Sequence, residues 1–563
     1  PALLIVFLLC KLLVLAGRHV DLSPWAIPAY IWQDCLVVLL FAGLERLVPK
    51  KTGWSLYAAA ALYAAINVPV ARMMSTPLTW PMLHATGGPL LDSIRHQATA
   101  ANVSAMLLIA LVAAIAPIFL KRMRWGLVIG LIFLAIAGAS ISNHVETMGR
   151  ERNAFAVLVT SAFSRVEARD SLDDWRHSPD GTTDTEPLPY SGIANGKNVL
   201  VIILESAGAR YLKPYGAAED PMPTISALSE RSILFENTST VYPESIKGLM
   251  ATLCSRYPAI DVAAERYASV RTPSIADVMK QHGYRTALFH SGRFMYLGMH
   301  EVLMDRGFDT LEDAGDIGGN HQSSFGIDES ATVNRTLNWI DQDRSKPFFA
   351  VYMPIAGHHP YDTPTTGPYP DNDEINRYRN ALHYADQSVA ELLNGLRARS
   401  LERGTFLLIL GDHGEAFGQH DGNFGHTNFI YQENVHVPFL IVLPALDHQI
   451  RIHRTVSLID LPGTICDLLD VEKPAQWQGG SALRDEGMSL FLTDYSLGLL
   501  GLRDGDWKFI YQIESGRGKL FNLNEDPRET TDLAQSQPQR CQQYRNRLLN
   551  WAAAQRSLVL KGQ

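Results

Sequence analysis

The chain has 563 residues, enough for a membrane region, one large folded domain and an appendage. Its net charge of −9 comes without a basic patch and argues against a nucleic-acid partner. The five cysteines show no CxxC spacing; one disulfide among Cys254, Cys466 and Cys541 stays open, and the sequence does not choose the pair.

Five apolar stretches come first, at about 1–17, 30–48, 54–71, 102–120 and 125–142. Each is near the ~20 residues that ~30 Å of hydrocarbon requires, and none carries the polar stripe of a soluble bundle helix. Arg46, Lys50 and Lys51 follow the second stretch, and Lys121, Arg122 and Arg124 lie between the last two. The positive-inside rule makes those loops cytoplasmic, so the N-terminus is cytoplasmic and everything after about residue 145 extracytoplasmic. The chain starts at Pro1 inside an apolar helix, which reads as a trimmed N-terminus; with four more spans and no small-residue cleavage signature, a signal peptide is disfavoured.

Residues 143–177 place Arg150, Arg152, Arg165 and Arg169 among apolar residues at helical spacing. The expectation is a helix, either lying on the outer leaflet or simply solvated. A linker rich in Pro, Gly and Asp follows from Ser178. From residue 197, β-branched runs alternate with amphipathic segments: 199–204, 233–235, 286–290, 348–353, 405–410 and 437–443, with helical stretches at 274–283, 329–341 and 375–400 between them. That alternation predicts a mostly parallel sheet sandwiched by helices. Short strands at 507–513 and 519–523 and a helix from about 535 predict a small C-terminal antiparallel subdomain. The expected division is 1–145 membrane domain, 146–196 connecting helix and linker, 197–485 catalytic domain and 486–563 appendage.

Two of the strands end in metal-ligand chemistry. The run Asn198–Leu204 delivers Glu205-Ser206, and Thr405–Leu410 delivers Gly411-Asp412-His413-Gly414-Glu415. Open α/β sheets build their sites at the carboxyl ends of strands, and Glu205, Asp412 and His413 suffice for a divalent ion with an open position. A carboxylate after one strand is often only a helix N-cap; two such strands together favour a site. Ser245 falls where a helix begins, with Lys247 two residues on. Most serines there are caps, but one activated by a metal would be a strong nucleophile.

The order of Leu204-Glu205-Ser206, a hydroxyl residue about forty positions later, Gly357-His358-His359-Pro360-Tyr361 and Gly411-Asp412-His413-Gly414-Glu415 resembles the sulfatase branch of the alkaline-phosphatase superfamily. Gly307-Phe308-Asp309, Val456–Thr464 and Leu520–Glu529 agree with it. With five spans in front and Glu205 where sulfatases carry paired aspartates, the chain is similar to the membrane-bound lipoteichoic acid synthases and the related phosphoglycerol and phosphoethanolamine transferases. The resemblance implies one divalent metal on Glu205, Ser245, Asp412 and His413, with Mn²⁺ the expected ion and Zn²⁺ or Mg²⁺ also chemically suited. It implies substrate contacts from His358, Arg293 and His290, and His426 as general acid. Arginine suits a phosphoryl group because its fork binds two oxygens. The Cys/Ser-x-Pro/Ala-x-Arg signal for formylglycine is absent from Ser245-Ile-Lys-Gly-Leu249, which favours an unmodified hydroxyl acting on a phosphoester.

The expected activity is thus transfer of a phospho-headgroup, phosphoglycerol or phosphoethanolamine, from a membrane lipid to an envelope glycan or lipid acceptor through a phospho-Ser245 intermediate. Hydrolysis of sulfate or phosphate esters, and an inactive envelope scaffold, are the alternatives.

Overall fold

The computed structural model describes residues 1–20, 23–85, 98–120, 123–171, 173–179, 187–296, 298–322, 325–484 and 487–563. The first part is a bundle of apolar helices: α1 (Ala2–Leu15), α2 (Ala26–Leu47), α3 (Lys50–Met74), α4 (Ala100–Phe119) and α5 (Trp125–Ile141). Their inward side chains, among them Val6, Val38, Ala64, Ile109 and Leu131, share one core. Helices α2 and α5 come so close that a Cβ on Gly138 would fall 2.3 Å from the Pro28 carbonyl oxygen, the close approach that small residues permit between apolar helices. Leu40, Ile118, Phe119, Ile129 and Phe133 point outward. By length and composition α2, α3 and α4 can cross a membrane, whereas α1 and α5, with 14 and 17 residues, fall short of that length. Lys121 and Arg122, on which part of the orientation argument rests, lie outside the described residues.

The segment after α5 departs from expectation. Between 146 and 178 the only described α-helix is Ala154–Thr160, seven residues long. Three of the four arginines that suggested a longer helix are instead drawn into ion pairs with distant carboxylates. Arg150 is buried on Asp421 at 2.8 Å, Arg152 pairs with Glu514 at 2.7 Å, and Arg165 bridges Asp261 and Glu514 at 2.9 Å each. Val166 and Trp175 enter the hydrophobic core beside the C-terminal helix. Regular helix would have pointed these arginines around a cylinder; an extended strap lets each reach its own partner. At its start Lys11 of α1 donates to the carbonyls of Arg150, Glu151 and Arg152 at 3.0, 2.9 and 3.1 Å.

The large sheet has eight strands: β1 (Asn198–Leu204), β2 (Ile233–Ser239), β3 (Arg285–His290), β4 (Thr310–Glu312), β5 (Phe348–Met353), β6 (Thr405–Gly411), β9 (Phe439–Val442) and β10 (Ile450–Ser457), in the order β10-β2-β9-β6-β1-β5-β3-β4. The strands pair in parallel except β9, which runs antiparallel between β2 and β6. A short hairpin, β7 (Ala416–Phe417) with β8 (Phe424–Gly425), leaves the end of β6. On β1 alternate residues serve two cores, Val199, Val201 and Ile203 on one face and Leu200, Ile202 and Leu204 on the other. A strand buried on both sides reads as a continuous apolar run, and helices including α6 (Ser245–Cys254), α7 (Glu329–Gln342) and α8 (Glu374–Ala398) cover it. A second sheet, β11 (Ser489–Thr493), β12 (Leu499–Asp504), β13 (Trp507–Gln512) and β14 (Arg517–Asn522), is an antiparallel meander backed by α9 (Pro538–Leu560). It has two more strands than the sequence suggested. All five cysteines are free thiols.

Candidate metal and phosphoryl-transfer site

Adjacent strands β1 and β6 bring Glu205 and Asp412 to one sheet edge, since Leu204 pairs with Gly411 across the ladder. Ser206 then turns the chain with φ +56°, and its backbone N–H donates to Asp412 Oδ1 at 2.9 Å. The loop carrying His358 packs directly on this corner: a Cβ on Gly357 would lie 2.0 Å from the Glu205 carbonyl oxygen, which leaves room for glycine alone.

Ser245 opens α6, but it is not the cap. Glu244 takes that role, its carboxylate accepting from Ile246 N at 3.0 Å and Lys247 N at 3.2 Å. The serine hydroxyl is thereby free to face the strand ends. Its Oγ lies 2.6 Å from Asp412 Oδ2, 2.9 Å from Glu205 Oε2 and 3.5 Å from His413 Nε2. His413, fully buried, uses Nδ1 to donate to the Gly414 carbonyl at 3.0 Å, which aims Nε2 at the group, 3.4 Å from both Glu205 Oε1 and Asp412 Oδ2.

Two carboxylate oxygens and one ring nitrogen thus converge on a single hydroxyl. The chain alone is short of positive charge there. Burial, and after it the Glu205 charge, pushes Asp412 up to about 7. Burial opposes protonation of His413, yet Asp412 and Glu205 outweigh it and raise the imidazole to about 10. Glu205 is held low despite its burial, chiefly by His413. A divalent cation satisfies the same demand with two carboxylates, an imidazole and a hydroxyl as donors, and Glu205, Asp412 and His413 offer ligand atoms within 4.8 Å of one another. The residues therefore fit the metal that the sequence suggested, and the set leaves Mn²⁺, Zn²⁺ and Mg²⁺ equally open.

His426 stacks on His413 with ring centres 4.1 Å apart, and His358 stands 6.0 Å from His426. His426 Nδ1 bonds Glu415 Oε2 at 2.8 Å, and Tyr361 donates to the other oxygen of the same carboxylate at 2.9 Å. Burial, then the His413 charge, lowers the His426 pKa, so at neutral pH its Nε2 offers a lone pair until a proton arrives. Glu415 and Tyr361 belong to this site although sequence reasoning quoted them without a role. His290, buried at the end of β3, donates Nδ1 to the Met353 carbonyl at 3.0 Å, and burial lowers its pKa. Arg293 lies on the turn beyond it, its Nη1 beside Gly315. Phe325, also unanticipated, packs its ring against His358, centres 4.4 Å apart and tilted by 34°.

Comparison with known proteins places this arrangement. Residues 197–471 match the family Sulfatase. The lipoteichoic acid synthase-like protein YvgJ of Bacillus subtilis is 22% identical over 52% of this chain and 50% of its own length. The choline-sulfatase of Rhizobium meliloti is 23% identical over 60% of this chain and 82% of its own. The chain spans about half the length of the lipoteichoic acid synthase relatives it matches. Among solved structures, the lipoteichoic acid synthase LtaP of Listeria monocytogenes superposes with a TM-score of 0.52 at 17% identity, covering 68% of this chain and 95% of that one. At that identity the likeness establishes the fold, and the relatives are enzymes by name. The family match thus covers residues 197–471, just under half of the chain.

Proposed function

We propose that this protein is a membrane-anchored phosphotransferase that moves a phospho-headgroup from a lipid to an extracytoplasmic acceptor through Ser245. The observation that carries it is the freed hydroxyl: with Glu244 as cap, Ser245 Oγ points between Asp412, Glu205 and His413. A metal on Glu205, Ser245, Asp412 and His413 would lower the hydroxyl pKa and neutralise phosphoryl oxygens. With its proton already lost to solvent, Ser245 Oγ would form a bond to phosphorus as the bond to the diacylglycerol oxygen breaks, and His426, protonated and held by Glu415, would give that oxygen its proton. In the second step the acceptor hydroxyl gives its proton to His426 and attacks phosphorus, releasing Ser245. His358, His290 and Arg293 are assigned to the headgroup and phosphoryl oxygens.

The membrane placement supports a lipid donor. Contacts with the catalytic domain gather at one end of the bundle, where Ser75, just past α3, donates to the Gly422 carbonyl at 3.1 Å and Arg150 holds Asp421. The basic Arg46, Lys50 and Lys51 lie at the α2–α3 turn, on the far end, consistent with a cytoplasmic N-terminus, a catalytic domain outside and a bundle in which α2, α3 and α4 reach spanning length. Tethering raises the effective concentration of lipid for the site. Hydrolysis of a sulfate or phosphate ester is the second reading, supported by the match along 82% of a choline-sulfatase.

The test is intact mass and peptide mapping after incubation with phosphatidylglycerol, phosphatidylethanolamine or an aryl sulfate, with Ser245→Ala beside it. A phospho-headgroup adduct on Ser245 that the variant lacks is expected and names the donor. Formylglycine at 245, or turnover of the sulfate alone, would make the enzyme a sulfatase.

A further inference from the structure

Between the membrane helices and the catalytic domain lies a cavity of about 390 Å³, within the size range of small-molecule sites. None of the metal-set residues, nor His290, Arg293, His358 or His426, lines it. One wall is apolar: Leu36 of α2, Val157 of the strap, Phe429 and Ile430, and Leu499 and Ile510 of the antiparallel sheet. The catalytic-domain part of that wall is well packed, with Phe429, Ile430, Leu499 and Ile510 buried in one cluster. The remaining lining is charged with both signs. Arg152, Arg517 and Lys519 supply cations, and Glu146, Glu151 and Glu514 supply carboxylates.

Trp32 also lines the cavity, and its indole N–H is buried without an acceptor among the described residues. A buried indole N–H normally finds a partner, so the cavity lacks an acceptor that an occupant would provide. The helix bearing Trp32 and Leu36 is one of those able to cross a membrane, and outward Leu40 lies one turn further along it. Apolar wall and polar rim therefore meet at the depth where a lipid's chains give way to its headgroup, the level at which tryptophan concentrates.

We propose that this cavity binds a zwitterionic phospholipid, its acyl chain along the apolar wall, its phosphate toward Lys519, Arg517 and the Trp32 N–H, and its ammonium toward Glu146 and Glu151. Lys519 pairs with Glu146 and Arg152 with Glu514 across this lining, so a headgroup entering among these ions has to answer both signs, which a phosphate bearing an ammonium does. The inference rests on the membrane placement proposed above and is independent of the chemistry at Ser245. Phe429 lies three residues past His426 on the same loop, so an occupied cavity buttresses the segment that carries the proton donor.

The experiment uses the full chain in nanodiscs of phosphatidylethanolamine, phosphatidylglycerol and phosphatidylcholine in equal parts, with retained lipid read by native mass spectrometry after transfer to detergent. Phosphatidylethanolamine is expected to stay bound, with its headgroup intact, in the wild type and in Ser245→Ala. Ala156→Trp, which fills the cavity, and the gentler Ala156→Leu and Lys519→Met should each reduce retention by at least about tenfold, with unchanged melting in Ala156→Leu showing that the fold survives. Retention of phosphatidylglycerol in preference, or lipid that stays bound in all three cavity variants, would overturn the site. A chain that fails to enter nanodiscs would overturn the membrane placement and the site with it, while leaving adduct formation at Ser245 separately testable.

Discussion

At the first turn of α6 two clusters of carboxylates touch the same helix, each with a buried member against it, Asp412 in one and Asp494 in the other. One holds Glu205 and Asp412 against Ser245; the other holds Asp494, with Asp261 and Glu514 behind it, against Lys247 two residues later. In the second cluster every charge has a counterpart from the chain. Asp494 accepts from Lys247 Nζ at 3.0 Å through both oxygens and from Tyr242 OH and Asp261 N at 2.6 Å, and Arg165 ties Asp261 to Glu514. Lys247 and Arg165 outweigh the cost of burial and keep the Asp494 carboxyl below its ordinary range. In the first cluster there is no lysine or arginine among the described contacts, and Asp412 rises to about 7 instead. Asp494 and Asp412, buried to the same degree, are thus treated oppositely: the first is neutralised by the chain where it braces the structure, the second left short of charge where a cation is to bind. Opposite uses of burial, one turn apart, separate scaffold from site.

The largest effect should come from the first cluster. Ser245→Ala, or Asp412→Asn, is expected to reduce transfer by roughly 10⁴-fold or more, with little change in melting temperature for the serine variant; a stopped-time assay of headgroup transfer checks both. Next, Asp494→Ala strands Lys247 as a largely buried cation and should destabilise the fold by about 3–5 kcal/mol, read by denaturant or thermal unfolding, whereas the double change Asp494→Leu with Lys247→Met should recover most of it. If Asp494→Ala instead leaves stability intact and removes bound metal, the division between the two clusters is wrong. Glu415→Gln should lower transfer by roughly 10- to 100-fold and shift the pH profile, because losing the carboxylate depresses His426 further and moves the limb that needs its protonated form to lower pH.

The smallest effects concern pH and stability. Asp494, depressed in the fold, contributes stability that is complete above its ordinary value of 3.8 and lost as pH falls through its lower folded value. Glu329, buried on α7 beneath the His358 loop, behaves oppositely. Burial raises it from 4.5 to about 7 although Ala356 N and Tyr352 OH donate to it at 3.0 and 3.2 Å. Its contribution is full below pH 4.5 and declines by roughly 1.4 kcal/mol per pH unit up to about 7. Melting curves of wild type and Glu329→Gln between pH 4.5 and 8 should therefore converge at the acid end and separate toward neutrality.

Much of the first cluster was legible because its residues stand at the ends of apolar strands, where the chain's own pattern says they must meet at one edge. Glu205, Asp412 and His413 needed only the strand reading, and Ser245 needed a helix start. The second cluster was not legible. Arg165, Asp261, Asp494 and Glu514 are separated by up to hundreds of residues, and nothing local marks them as partners. The same blindness turned the strap into an expected helix, since arginine spacing cannot tell a solvated face from a set of long-range ion pairs. Antiparallel β9 escaped because its four buried residues carry no sign of direction. Glu415 was read as part of a motif rather than as the partner of His426, eleven residues on; an acid and an imidazole flanking a hairpin was the available signal.

The most direct test is to quantify divalent metal bound to the purified full chain and to its Asp412→Asn and Asp494→Asn variants. One ion per chain in the wild type, lost in Asp412→Asn and kept in Asp494→Asn, is the expected result. Metal that persists without Asp412, or that departs with Asp494 while the protein stays folded, would contradict the assignment of the two clusters.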